Sequence, residues 1–145
     1  MSIDKPQKRA LVTGAAGGLG REVALQLAAR GTVLGLADLN AAGLQETGRM
    51  VVDLGAEAEV IQGDFTHDGI PESTVQRVVN RWGGIDILVN NAAYGVIEPF
   101  LDSTYAAWTR TISRAWPART TRSLTACATR LEHSTSGWTT NSGWS

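Results

Sequence analysis

Thr13-Gly14-Ala15-Ala16-Gly17-Gly18-Leu19-Gly20 is the stretch whose reading decides the fold. A short apolar run, residues 9–12, leads into it, and an apolar-periodic run, residues 19–29, leads out of it. Between a strand and a helix, Gly14 permits a tight turn, Gly18 lets backbone approach a pyrophosphate, and Gly20 lets the helix lie close to the strand. The free N–H groups and the dipole of a helix that starts there attract phosphate charge. A glycine-rich turn also occurs at ordinary strand–helix junctions, so its surroundings decide what it means.

Downstream, the strand–helix alternation continues. The spacing predicts a helix over 19–29 with Leu19, Val23, Leu27 and Ala28 in periodic positions and Gly31 as its stop. TVLGLA at 32–37 reads as a buried strand, 41–54 as a helix closed by Gly55, and 58–62 as a third strand ending in Gly63-Asp64. Pro71 is placed to start a helix whose Val75, Val78, Val79 and Trp82 share a face. A fourth strand, 85–89, runs into Asn90-Asn91, and another helix is expected from Ser103 to about Ile112. Continuously apolar strands alternating with helices imply an α/β fold of the Rossmann type, a doubly wound parallel sheet. The expected order of its four strands is 3-2-1-4.

Asp38 closes the second strand, 18 positions after Gly20. A carboxylate there accepts hydrogen bonds from the adenosine ribose hydroxyls and repels a 2′-phosphate. No Arg or Lys lies in the glycine turn or directly after Asp38, so nothing compensates a phosphorylated ribose, and NAD is favoured over NADP. The plainer reading of Asp38 is a solvated carboxylate capping the helix at 41–54. Asn90-Asn91 taken alone is equally an Asx turn closing a strand.

Taken together, these residues resemble the short-chain dehydrogenase/reductase family. TGAAGGLG matches its GxxxGxG fingerprint, and Asn90-Asn91-Ala92-Ala93 after the fourth strand is a variant of its NNAG. The resemblance runs in order and spacing from residue 9 to about 113. It implies that Gly14, Gly18, Leu19 and Gly20 line the pyrophosphate turn and that Asp38 meets the adenosine ribose. It further implies that Asp64 and Phe65 flank the adenine, and that Asn91, Ala92 and Ala93 lie along the nicotinamide-side ribose, with Asn90 mainly structural. Ala93 stands where the family usually has Gly, a small residue for a small one. The implied activity is hydride transfer between a nicotinamide and an alcohol or carbonyl carbon.

The family's proton-transfer groups, a Ser and a Tyr and Lys spaced YxxxK, have no match here. Tyr94 is followed by Glu98 at that spacing and Tyr105 by Thr109, and no lysine occurs after Lys8. Ala115-Trp116-Pro117-Ala118 stands where the family's helix continues into Asn-Leu-x-Gly, and Pro117 would interrupt a helix interior. No catalytic residue is assigned, and this chain as written is expected to be inactive. Cys127 has no nucleophile's partners, and His67 and His133 read as loop residues.

Composition sets the outer limits. The 145 residues carry a net charge of −1, which encodes no pull toward nucleic acid or anionic membrane. One cysteine and two distant histidines give no metal-ligand spacing. The polar N-terminus and the lack of a membrane-length apolar run suggest a cytoplasmic protein. The 43% hydrophobic content conceals two segments. Residues 1–113 hold 29 Val, Ile and Leu, whereas 114–145 hold only Leu124 and Leu131 beside twelve Ser and Thr and three Trp. The first reads as a partial NAD-binding domain, the second as an irregular tail too poor in aliphatics to offset its ordering entropy. Arg114, Arg119, Arg122 and Arg130 make this tail sparsely basic, which reads as a solvated segment rather than a nucleic-acid contact. Out-of-frame translation of a dehydrogenase gene would explain the change of character, and the gene sequence across codons 110–145 tests it. The alternative is a non-enzymatic dinucleotide-binding module whose tail binds a partner. An alcohol or carbonyl substrate is expected only of a full-length form, and the oligomeric state is not legible.

Overall fold

The computed structural model describes residues 7–93 together with Thr104 and Tyr105. Four strands and three helices alternate: β1 (Arg9–Thr13), α1 (Gly18–Ala28), β2 (Val33–Asp38), α2 (Ala41–Asp53), β3 (Ala58–Gln62), α3 (Ile70–Trp82) and β4 (Ile87–Val89). All strand pairs are parallel, in the order β3-β2-β1-β4. The α/β doubly wound topology expected from the alternation is therefore present. The element bounds differ from the expected ones by no more than two residues. The helix expected from Ser103 to about Ile112 falls outside the described residues except for Thr104 and Tyr105, and the segment 114–145 lies outside them entirely.

The inner strands β1 and β2 carry no polar side chain from Ala10 to Val12 and from Val33 to Ala37 because both sheet faces are covered there, whereas the edge strand β3 carries Glu59 and Gln62. Ala10 and Val12 of β1 with Leu34 and Leu36 of β2 face α1 and α2, where Ala24, Ala28, Leu44 and Val51 complete one cluster. Leu11 and Ala37 face the other way, against Val75 and Val78 of α3. Adjacent residues on a strand thus serve opposite layers, which is the period of two that a pleated strand imposes. Burying a Leu or Val side chain in these layers stabilises the fold by about 1.5–3 kcal/mol each.

One face differs from its expectation. The buried line on α1 is Gly20, Ala24 and Ala28, while Leu19 is 70% exposed. Small residues four apart let the helix settle close to the sheet, whereas Leu19 lies at the mouth of the glycine turn. On α3 the expected face holds: Val75 and Val78 are buried, and Val79 and Trp82 lie against the same cluster.

The two ends of the sheet are built differently. At the amino ends of the strands, Arg9 and Asp86 form a two-pronged ion pair, Nε to Oδ2 at 3.0 Å and Nη2 to Oδ1 at 2.9 Å. The Arg9 backbone N–H also donates to Asp86 Oδ2, and the guanidinium reaches the Trp82 carbonyl. At the carboxyl ends lie the glycine turn, Asp38, Asp64 and Asn91, where a sheet of this order opens a crevice between β1 and β4.

Candidate dinucleotide site

The glycine turn resists side chains in two ways, by positive φ at Gly18 and by collision at Gly20. Gly18 has φ +51°, and a Cβ placed on it would meet nothing within 4 Å. A cradle that only a side chain would fill lies over the start of α1. At Gly20 the opposite holds. A Cβ there would run into the Gly14 carbonyl oxygen and lie 2.6 Å from Asn91 Nδ2. Gly17, the N-cap, offers no side chain to the first-turn N–H groups of α1, so those donors remain for a ligand. An open cradle, uncapped donors and a helix N-terminus form a donor set that fits the pyrophosphate of a dinucleotide.

Asp38 lies beside that cradle. Its Oδ2 accepts the backbone N–H of Ala16 at 3.1 Å, and its Oδ1 accepts that of Asn40 at 2.9 Å. The cap of α2 is Asn40, whose Oδ1 accepts the Gly43 N–H at 3.1 Å, so the reading of Asp38 as the helix cap is set aside. Two bonds leave further lone pairs on the carboxylate for ribose hydroxyls. Leu39, the next residue, is apolar and 62% exposed.

Thr13 and Asn91 join the turn to β4. The Thr13 hydroxyl donates to the Val89 carbonyl and accepts the N–H groups of Asn91 and Ala92, both at 3.1 Å. Asn91 Nδ2 reaches the Thr13 and Gly14 carbonyls at 3.3 and 3.2 Å. Asn91 thus ties the end of β4 to the turn, while Asn90 and Ala93 are exposed. Asp64 is engaged locally. Its Oδ1 accepts the backbone N–H and hydroxyl of Thr66, and its Oδ2 lies 3.4 Å from His67 Nδ1. Phe65 is half-buried against the α3-side cluster that contains Leu11 and Val75.

Sequence reading passed over two residues of the site. Thr13 was seen as the first letter of the turn and not as its hub. Arg21 follows the last glycine directly, and its guanidinium folds back onto the Ala16 carbonyl at 2.7 Å. A long cationic side chain one residue past a glycine turn was the available signal.

Known proteins share this arrangement. The profile of the short chain dehydrogenase family matches residues 8–132. The chain belongs to this family. The match continues past residue 113. Among curated relatives, a diacetyl reductase ((S)-acetoin forming) of Staphylococcus epidermidis is 38% identical over 95 residues, 66% of this chain and 37% of that enzyme. A sorbitol dehydrogenase of Cereibacter sphaeroides is 35% identical over 103 residues, 71% of this chain and 39% of that enzyme. The chain thus spans well under half the length of these family members. Among solved structures, an NAD+-bound xylitol dehydrogenase superposes with a TM-score of 0.78 at 32% identity, covering 88% of this chain and 49% of that one. A short chain dehydrogenase of Mycobacterium smegmatis gives 0.78 at 29% identity, covering 88% and 53%.

As a short-chain dehydrogenase, the chain has the dinucleotide end of the family fold among its described residues. Tyr105 is 88% exposed, and Tyr94, Cys127 and His133 lie outside the described residues. Among the described residues no His, Cys, Asp and Glu cluster could hold a metal ion, and no helix is long and apolar enough to cross a membrane.

Proposed function

We propose that this short-chain dehydrogenase binds NAD in preference to NADP and serves hydride transfer between the nicotinamide and an alcohol or carbonyl carbon. The observation that carries the preference is the Asp38 carboxylate, fixed to the glycine turn through the Ala16 N–H and followed by the neutral Leu39. A second negative charge on the ribose would face this carboxylate with no cation at positions 17 or 39 to offset it. Gly14, Gly18, Leu19 and Gly20 take the pyrophosphate, Asp64 and Phe65 border the adenine, and Asn91, Ala92 and Ala93 border the nicotinamide-side ribose. When bound, NAD supplies the hydride acceptor. This chain's residues bind and orient it.

The proton-transfer step belongs to groups other than those of residues 1–145. Neither Tyr94 nor Tyr105 has a lysine four residues on, and no lysine follows Lys8 to lower a tyrosine pKa. Calorimetric titration of the 145-residue chain with NAD and with NADP tests the binding claim. Saturable NAD binding at least about tenfold tighter than NADP supports it, and equal or inverted affinities overturn the preference. NAD-dependent turnover of simple alcohols by the purified chain, free of host dehydrogenase, would contradict the assignment of proton transfer elsewhere.

A further inference from the structure

Arg21 is the cation nearest in sequence to the glycine turn, and its position has a geometric consequence. Its Nη2 donates to the Ala16 carbonyl at 2.7 Å and lies 3.4 Å from the Gly43 carbonyl, while its charge is met by Glu46 Oε2 at 2.6 Å. Its Nε donates to the Thr47 hydroxyl at 3.0 Å. Thr47 is fully buried, and its hydroxyl, with one proton to give, lies 2.9 Å from the Ala15 carbonyl and 3.0 Å from the Gly43 carbonyl. Two successive carbonyls of the turn therefore face Thr47 of α2 and Arg21 of α1.

In a trans peptide the C=O and the following N–H point in opposite directions. Anchoring the Ala15 carbonyl at Thr47 must aim the Ala16 N–H the other way, and that N–H is found on Asp38. The same rule applied to the next peptide gives the consequence. Anchoring the Ala16 carbonyl at Arg21, beside Gly43 of α2, aims the Gly17 N–H away from both.

We infer that Arg21 is a positioning residue for phosphate recognition: its guanidinium fixes the Ala16–Gly17 peptide so that the Gly17 N–H faces the dinucleotide pyrophosphate. The planar fork suits this task, because one group holds Ala16, Thr47 and Glu46 together. This deepens the dinucleotide reading and rests on it.

The test compares two probes on the full chain: ADP-ribose, which contains the pyrophosphate, and adenosine, which does not. In Arg21→Met the ADP-ribose Kd rises about tenfold or more while the adenosine Kd stays within about twofold. Arg21→Lys, which keeps a cation but loses the fork, loses less ADP-ribose affinity than Arg21→Met and likewise spares adenosine. A role confined to stability would lower Tm and weaken both probes together, or neither. Either result overturns the inference. Should Arg21→Met fail to fold, Arg21→Lys decides by the same selective loss: an ADP-ribose Kd unchanged, or changed in parallel with adenosine, counts against it. Failure of the unaltered chain to bind either probe instead overturns the dinucleotide reading, and with it this one.

Discussion

The Asp38 carboxylate accepts the backbone N–H of Ala16 at 3.1 Å, so the last residue of β2 and the middle of the glycine turn are one unit. The carboxylate proposed to meet the ribose and the turn proposed to take the pyrophosphate are thereby held in fixed register, although 22 residues separate them.

Asp38→Asn tests that unit. The amide keeps the shape but removes the charge, and its NH2 group cannot accept the N–H of Asn40 or Ala16. NAD affinity falls about tenfold and the NADP/NAD affinity ratio rises, as read by parallel titrations. An unchanged ratio would show that Asp38 does not discriminate the ribose phosphate.

Two glycine substitutions separate folding from binding. Gly18→Ala places a methyl in open space on a φ of +51°, so it costs about 1 kcal/mol of stability and at least tenfold in NAD affinity. Gly20→Ala drives a methyl into the Gly14 carbonyl and the Asn91 amide, so the chain loses about 3 kcal/mol or more. Thermal melts and NAD titrations of both variants check the contrast. Equal melting temperatures would refute it.

Thr13→Val keeps the volume of a 2%-exposed side chain and removes its hydroxyl. The N–H groups of Asn91 and Ala92 then lose their acceptor, at about 1–3 kcal/mol for a buried unsatisfied group. A loss of about 2 kcal/mol of unfolding free energy, with a lowered urea midpoint, is the expected reading. A neutral substitution would mean that β4 and the turn are tied by other contacts.

The Arg9–Asp86 pair gives a pH dependence. The Arg9 guanidinium beside Asp86 holds its carboxyl below the usual carboxylate range. A carboxylate with a lowered folded pKa stabilises the fold above its unfolded pKa, and that stability is lost as pH falls through the folded value. With side chains 31% and 25% exposed, solvent screening limits the effect to about 1 kcal/mol. Asp86→Asn should destabilise the chain near pH 6 and lose less stability than the unaltered chain below about pH 4. Parallel loss in both proteins across that range would refute the role of Asp86.

The fold was legible because Ala10–Val12 of β1, Val33–Ala37 of β2 and Ile87–Val89 of β4 carry no polar side chain, a pattern that strands covered on both faces require. The glycine spacing was legible because each glycine answers a separate steric demand, as Gly18 and Gly20 show. Side-chain hydrogen bonds were not. Thr13 and Thr47 look ordinary in sequence, since their importance depends on which carbonyls the folded backbone brings within hydrogen-bond reach. The contact of Asn91 with the turn has the same origin: only the pairing of β1 with β4 brings it within reach of the Thr13 and Gly14 carbonyls.

The most direct test of the central claim is an amide NMR map of the 15N-labelled 145-residue chain titrated with NAD. The account predicts saturable shifts gathered at residues 14–20, 38–39, 64–65 and 91–93, at the carboxyl ends of the strands. No shifts at millimolar NAD, or shifts gathered at the opposite end around Arg9, Trp82 and Asp86, would contradict it.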